Sequence, residues 1–204
     1  MKFSDTGLPS HPAIEKSFEV LRQFDKGDAY TTRGVLIATL IATAGKHKDP
    51  EAIAAGLLVP LAQDLGPFLC AKAELPGRVP EIIESLFAFG KTSMTGAAMD
   101  KPYADLDPAV RSVVLASSVR MFEVTAGDLE NSLNNTEPAQ GPDKKNIKAM
   151  LAPLRDFTDV VTRNEKDELA LVKKCQEAMK RIEDSLDSAG IKLPPAAKPN
   201  TPKV

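Results

Sequence analysis

Apolar residues recur at intervals of three and four along almost the whole chain, and that spacing places them on one side of successive helices. Ile14, Phe18 and Leu21 mark such a stripe between His11 and Phe24, with Glu15, Lys16 and Arg22 on the other faces. Ile53, Leu57, Leu58 and Leu61 mark the next. Val79, Ile82, Ile83 and Leu86 follow, then Val110, Val113, Val114 and Met121, then Ile147, Leu151, Leu154 and Phe157. Beyond Asn164, the residues Val172, Cys175, Met179, Ile182 and Leu186 form a helix–helix seam that serves packing within the chain or against a partner helix. The chain lacks Trp and has two Tyr and eight Phe, so its core is aliphatic and the composition disfavours a β-sandwich. The reading is all-α: one domain of about eight helices over 1–189, then a flexible Pro- and Lys-rich tail over 190–204.

Local signals place several boundaries. Asp49 and Asp107 each precede a proline, and an Asp cap followed by Pro in the first turn opens a helix. Val35 to Thr43 is apolar nearly all round, which predicts a helix buried on every side. Pro60, inside the Asp49 helix, lacks an amide and crowds the carbonyl of Gly56, so a kink or early end is expected there. A short helix and a turn at Pro76 and Gly77 are expected between Phe68 and Phe89. The helix after Asp107 is expected to stop before Gly127, and Gly90 to Leu106 and Asn131 to Pro142 read as long loops.

The net charge of −2 and pI near 5.8 offer no concentrated basic surface for nucleic acid or an anionic membrane. The start of the sequence lacks a signal-peptide apolar run and the apolar stretch Val35 to Ala44 is too short to span a bilayer, so the expected location is the cytoplasm. Cys70 and Cys175 lack metal-knuckle spacing and read as buried thiols. His11 and His47 read as solvated, Glu81 and Glu84 as an exposed helix face, and the common nucleophile and phosphate-loop motifs are absent from the sequence.

Two segments carry a family pattern. GDAYTTRGVLIATLIA (27–42) resembles GEPYIxHPxxVAxIL, and EAIAAGLLVPLAQD (51–64) resembles ETIAAALLHDxxED, both from the metal-dependent HD hydrolases of the RelA/SpoT type. They occur in the family's order at a compatible spacing. VLASSVRM (114–121) is a weaker echo of KLADRLxN. The resemblance implies the helical HD alarmone-hydrolase fold with its metal ligands replaced. The first histidine ligand falls on Arg33, the His-Asp pair on Val59 and Pro60, and the distant aspartate on Ser117. The family's Glu-Asp pair becomes Gln63 and Asp64, and its base-stacking arginine becomes Phe24. A divalent transition metal requires imidazole or carboxylate donors, so the expectation is a pseudoenzyme without metal or other cofactor. A loss of ligands would also explain a kink at Pro60.

The resemblance then implies a protein partner from alarmone metabolism, a nucleotide pyrophosphokinase toxin neutralised or regulated by this chain as an antitoxin or immunity protein. The alternative is a metal-free alarmone sensor, with Arg33 on phosphate, Phe24 or Tyr30 on a base and Asp64 accepting a hydrogen bond. Candidate ligand- or partner-binding residues are Phe24, Tyr30, Arg33, Asp64 and Arg120, with Lys91, Lys101 and Tyr103 as further contacts in the loop.

Overall fold

The computed structural model describes residues 1–25, 27–66, 69, 73–90, 99–135 and 144–191, with backbone alone at 133–135, 144–146, 148 and 150. The expected tail beyond Ile191, the loop segments 91–98 and 136–143, Lys91, Cys70 and most of the short helix expected after Phe68 lie outside the described residues. Within them the protein is all-helical: α1 (Pro12–Phe24), α2 (Ala29–Ala44), α3 (Pro50–Leu65), α4 (Val79–Gly90), α5 (Asp100–Ala104), α6 (Pro108–Asn135), α7 (Lys144–Asn164) and α8 (Leu169–Ser188). No strand occurs among the described residues. No helix among them is long and apolar enough to cross a membrane.

Two compact units share the chain. The first draws on Met1–Lys91, Leu106–Ser117 and Asp167–Leu171, and the second on Thr92–Asp105, Ser118–Lys166 and the chain from Val172 on.

The first unit is built around α3, which packs on α1 and α2. From Ala52 to Ala62 every residue of α3 is buried. Ile14 and Leu21 from α1, Ile41 from α2 and Ile53, Leu57, Leu58 and Leu61 from α3 are all but inaccessible, and each such side chain contributes about 1.5–3 kcal/mol on burial. Glycine sets the closest approach. A Cβ on Gly34 would lie 2.1 Å from the Leu57 carbonyl oxygen, so only hydrogen fits where α2 crosses α3.

The helix starts follow the local chemistry. Asp49 accepts from the Glu51 amide at 2.8 Å, and Asp107 accepts from the Ala109 amide at 2.9 Å. His11 caps α1 through Nδ1, 3.2 Å from the Ala13 amide. The starts of α3, α4 and α6 also meet at Arg78: its amide donates to Glu51 at 3.1 Å and its guanidinium to Asp107 at 2.9 Å. The turn before it bends through Gly77 at φ +52°, a backbone that favours glycine.

Several sequence expectations are corrected. α3 runs unbroken through Pro60 to Leu65, so the early end does not occur and the argument tying a kink to lost metal ligands falls. Burial along α3 offsets the roughly 3 kcal/mol that an interior proline costs. α6 continues past Gly127 to Asn135, because Ala126 and Leu129 are buried on either side of a glycine that costs only about 1 kcal/mol. It therefore also takes in the start of the loop expected from Asn131. Met121 points outward at 48% exposure. α2 begins at Ala29 and is not buried all round: Thr32, Arg33, Leu36 and Thr43 face solvent.

In the second unit the seam residues Val172, Cys175, Met179, Ile182 and Leu186 are all buried, which satisfies the seam within the chain. Phe157 stands edge-on to Tyr103 and Phe122, with ring centroids 6.4 and 6.2 Å away. α5 lies inside the segment expected to be loop. Its Tyr103 is fully buried and donates its hydroxyl to Glu165 at 2.7 Å, so it is a core residue and not the surface contact expected. Lys101 is exposed.

Candidate functional site

One end of the first unit gathers the end of α1, the start of α2 and the end of α3. The turn that joins α1 to α2 is organised by Asp25. Its buried carboxylate accepts the Thr31 amide at 2.5 Å and the Gly27 amide at 3.3 Å, capping α2 from outside the helix. Burial acts to raise the Asp25 pKa, but the hydrogen bonds from Thr31 and Gly27 outweigh it and hold the carboxyl below its ordinary value. Asp28 follows at φ +60°, pairs with Arg22 and lies 3.7 Å from the Met1 ammonium.

Tyr30, in the first turn of α2, donates its hydroxyl to Asp64 near the end of α3. That bond, followed by burial, raises the Tyr30 pKa. One turn on, the Arg33 guanidinium carbon stands 5.4 Å from the Tyr30 ring centroid, a cation–π distance. Arg33 has no carboxylate partner among the described residues. Phe24, the last residue of α1, is 39% exposed. Thus Tyr30, Arg33 and Asp64 are linked at one end of one unit, and Phe24 ends the helix that leads into the turn before them. Arg120 belongs to the second unit and pairs with Glu123 at 2.8 Å.

The same end concentrates apolar surface. Among the described residues seven large hydrophobic side chains are exposed, and Met1, Phe24, Leu36 and Leu65 all fall at this end or within two turns of it. An exposed aromatic and aliphatic set around an Arg and a Tyr has the composition of a binding hot spot.

The positions that the resemblance assigns to metal ligands have other surroundings. Val59 and Pro60 are buried in the aliphatic middle of α3, Arg33 is solvent-facing, and Ser117 is half-buried on α6 with no hydrogen-bond partner for its hydroxyl. None supplies an imidazole or carboxylate. Among the described residues no group of three His, Cys, Asp or Glu side chains is placed to hold a metal ion. His47, Glu81 and Glu84 are exposed, as expected.

Besides Asp25, two more buried carboxylates escaped the sequence reading. Glu168 accepts the Lys46 amide at 2.8 Å and the Ser112 hydroxyl at 2.6 Å in the first unit. Glu165 takes the Tyr103 hydroxyl in the second. Both sit in NEKDE (164–168), a charged string that reads as a solvated loop, and only partners distant in sequence reveal their burial. The second unit carries two open depressions of about 480 and 310 Å³. In their walls Glu130 pairs with Arg181 and Arg155 with Glu183, and Lys180, which lines both, stands beside them.

Family models, curated proteins and solved structures were all compared with the chain, and none matches.

Proposed function

We propose that this chain acts by binding another protein, as an HD-hydrolase-like pseudoenzyme without metal or other cofactor. Its partner is a nucleotide pyrophosphokinase of the alarmone type, which it neutralises or regulates in the cytoplasm as an antitoxin or immunity protein. The observation that carries the binding reading is the exposed end around Arg33 and Tyr30, where Phe24, Leu36 and Leu65 leave apolar area open to water. The donor chemistry at Arg33, Val59, Pro60 and Ser117 supports the loss of catalysis, because metal-assisted hydrolysis needs a cation to lower the water pKa and stabilise phosphate charge. The two segments that carry the resemblance lie on α2 and α3, which pack directly against each other. Co-expression with a toxic alarmone synthetase is the test. Rescue of growth, with no hydrolysis of alarmone by the purified chain, is the expected result. Alarmone hydrolysis with a stoichiometric bound cation would overturn it.

A second reading rests on the contact of Tyr30 with both Asp64 and Arg33. That trio offers a cation for phosphate and a ring for a base, the elements of a nucleotide sensor without catalysis. Calorimetry with guanine and adenine alarmones separates it from the first, since the absence of heat at millimolar ligand removes the sensor.

A further inference from the structure

A helix that is apolar all round is ordinarily covered all round. α2, AYTTRGVLIATLIATA, has one charged residue in its length, yet the fold covers only part of it. Thr31, Gly34, Val35, Ile37, Ala38 and Ile41 turn inward. Spaced three and four apart on the opposite side are Ala29, Thr32, Arg33, Leu36, Leu40 and Thr43, of which all but the half-buried Leu40 are exposed. A solvated helix face is normally rich in charge. Here a single cation stands among alanine, threonine and leucine.

We propose that this outer face of α2 is a docking surface for an amphipathic helix of a different protein, one that lays an aliphatic stripe along Leu36 and Leu40 and presents a carboxylate to Arg33. The inference rests on the reading that the chain works by binding a partner, and adds where it binds and what the partner offers. Charge complementarity chooses the occupant. α2 holds no acidic residue, so two copies meeting face to face along this helix bring no carboxylate to Arg33 from either α2. The exposed carboxylates at this end of the unit are engaged already, Asp64 by the Tyr30 hydroxyl and Asp28 by Arg22. A lipid surface is disfavoured because one Arg falls short of the basic face that membrane-bound helices present. The small threonine and alanine side chains let a partner backbone approach, and Arg33, held over the Tyr30 ring, keeps guanidinium N–H donors for a carboxylate.

The test uses the full chain with a photoreactive phenylalanine analogue at position 36, irradiated in a lysate of its source cells, and the adduct mapped by mass spectrometry. Capture alone decides nothing. The decisive step is charge exchange between Arg33→Glu and an acidic residue of the mapped partner helix changed to Arg. Either single change should weaken binding about thirtyfold or more, and the double change should restore it. Circular dichroism of Arg33→Glu verifies folding, and Arg33→Gln, which removes the charge without reversing it, should weaken binding less than Arg33→Glu. Absence of an adduct, an adduct of the chain with itself, or a failure of the double change to recover affinity would overturn the proposal. The captured protein's identity judges the broader reading separately: a partner unrelated to nucleotide synthesis leaves the α2 surface standing and removes the pyrophosphokinase.

Discussion

At Asp25 a single buried carboxylate organises the turn from which α2 starts. Replacing it with Ala leaves the Thr31 and Gly27 amides without their acceptor, an expected loss of about 1–3 kcal/mol in urea unfolding. Its folded pKa is lowered relative to the unfolded chain. Its contribution is therefore fully present above the ordinary carboxyl pKa and is lost as pH falls through the depressed folded value. Wild type and Asp25→Asn should accordingly converge in stability under acid and separate toward neutrality. Cys175 makes an opposite case. Burial, with a smaller effect of Glu123, pushes its thiol up to about 12. In a Cys70→Ser background, alkylation at pH 8 should be slow in the native protein and fast in denaturant; rapid native labelling would contradict this burial. The sequence placed Phe24, Tyr30, Arg33 and Asp64 among the candidates, but it also placed the buried Tyr103 on the surface. Tyr103 and Glu165 are 62 residues apart, and no local pattern announces such a pair.

Among the elements, starts were more legible than ends. A cap acts over two or three residues, so Asp49 and Asp107 could be read directly. The early end allowed for at Pro60 and the stop before Gly127 do not occur, because packing of the neighbouring residues overrides what proline and glycine prefer by themselves. The same dependence on neighbours gives Gly34 its importance. Gly34→Ala would gain helix propensity of about 1 kcal/mol in isolation. Against Leu57 the added methyl has no space, and α2 must move away from α3. The net expectation is destabilisation by about 1–3 kcal/mol, read as a lower denaturation midpoint with an unchanged m-value. A neutral or stabilised variant would show that the two helices separate without loss.

At the scale of the whole molecule, the segment between α7 and α8 places Glu165 in one unit and Glu168 in the other. Glu168 holds the turn after α2 through the Lys46 amide, and Asp167 pairs with the Lys46 ammonium at 2.5 Å. Glu168→Ala should destabilise by about 1–3 kcal/mol and speed hydrogen exchange at Lys46, whereas Asp167→Ala, at an exposed pair, should leave the denaturation midpoint almost unchanged. Equal effects would contradict the distinction between buried and exposed carboxylates. From the sequence alone came the all-helical class, most of the apolar stripes, the caps and the buried seam of α8, because periodicity and capping are properties of neighbouring residues. Only the tertiary structure decided that α2 keeps an open face and that NEKDE buries two carboxylates. It alone carried α3 past Pro60. Burial is settled by what packs against a residue from elsewhere in the chain, and three- and four-residue spacing carries no record of that partner.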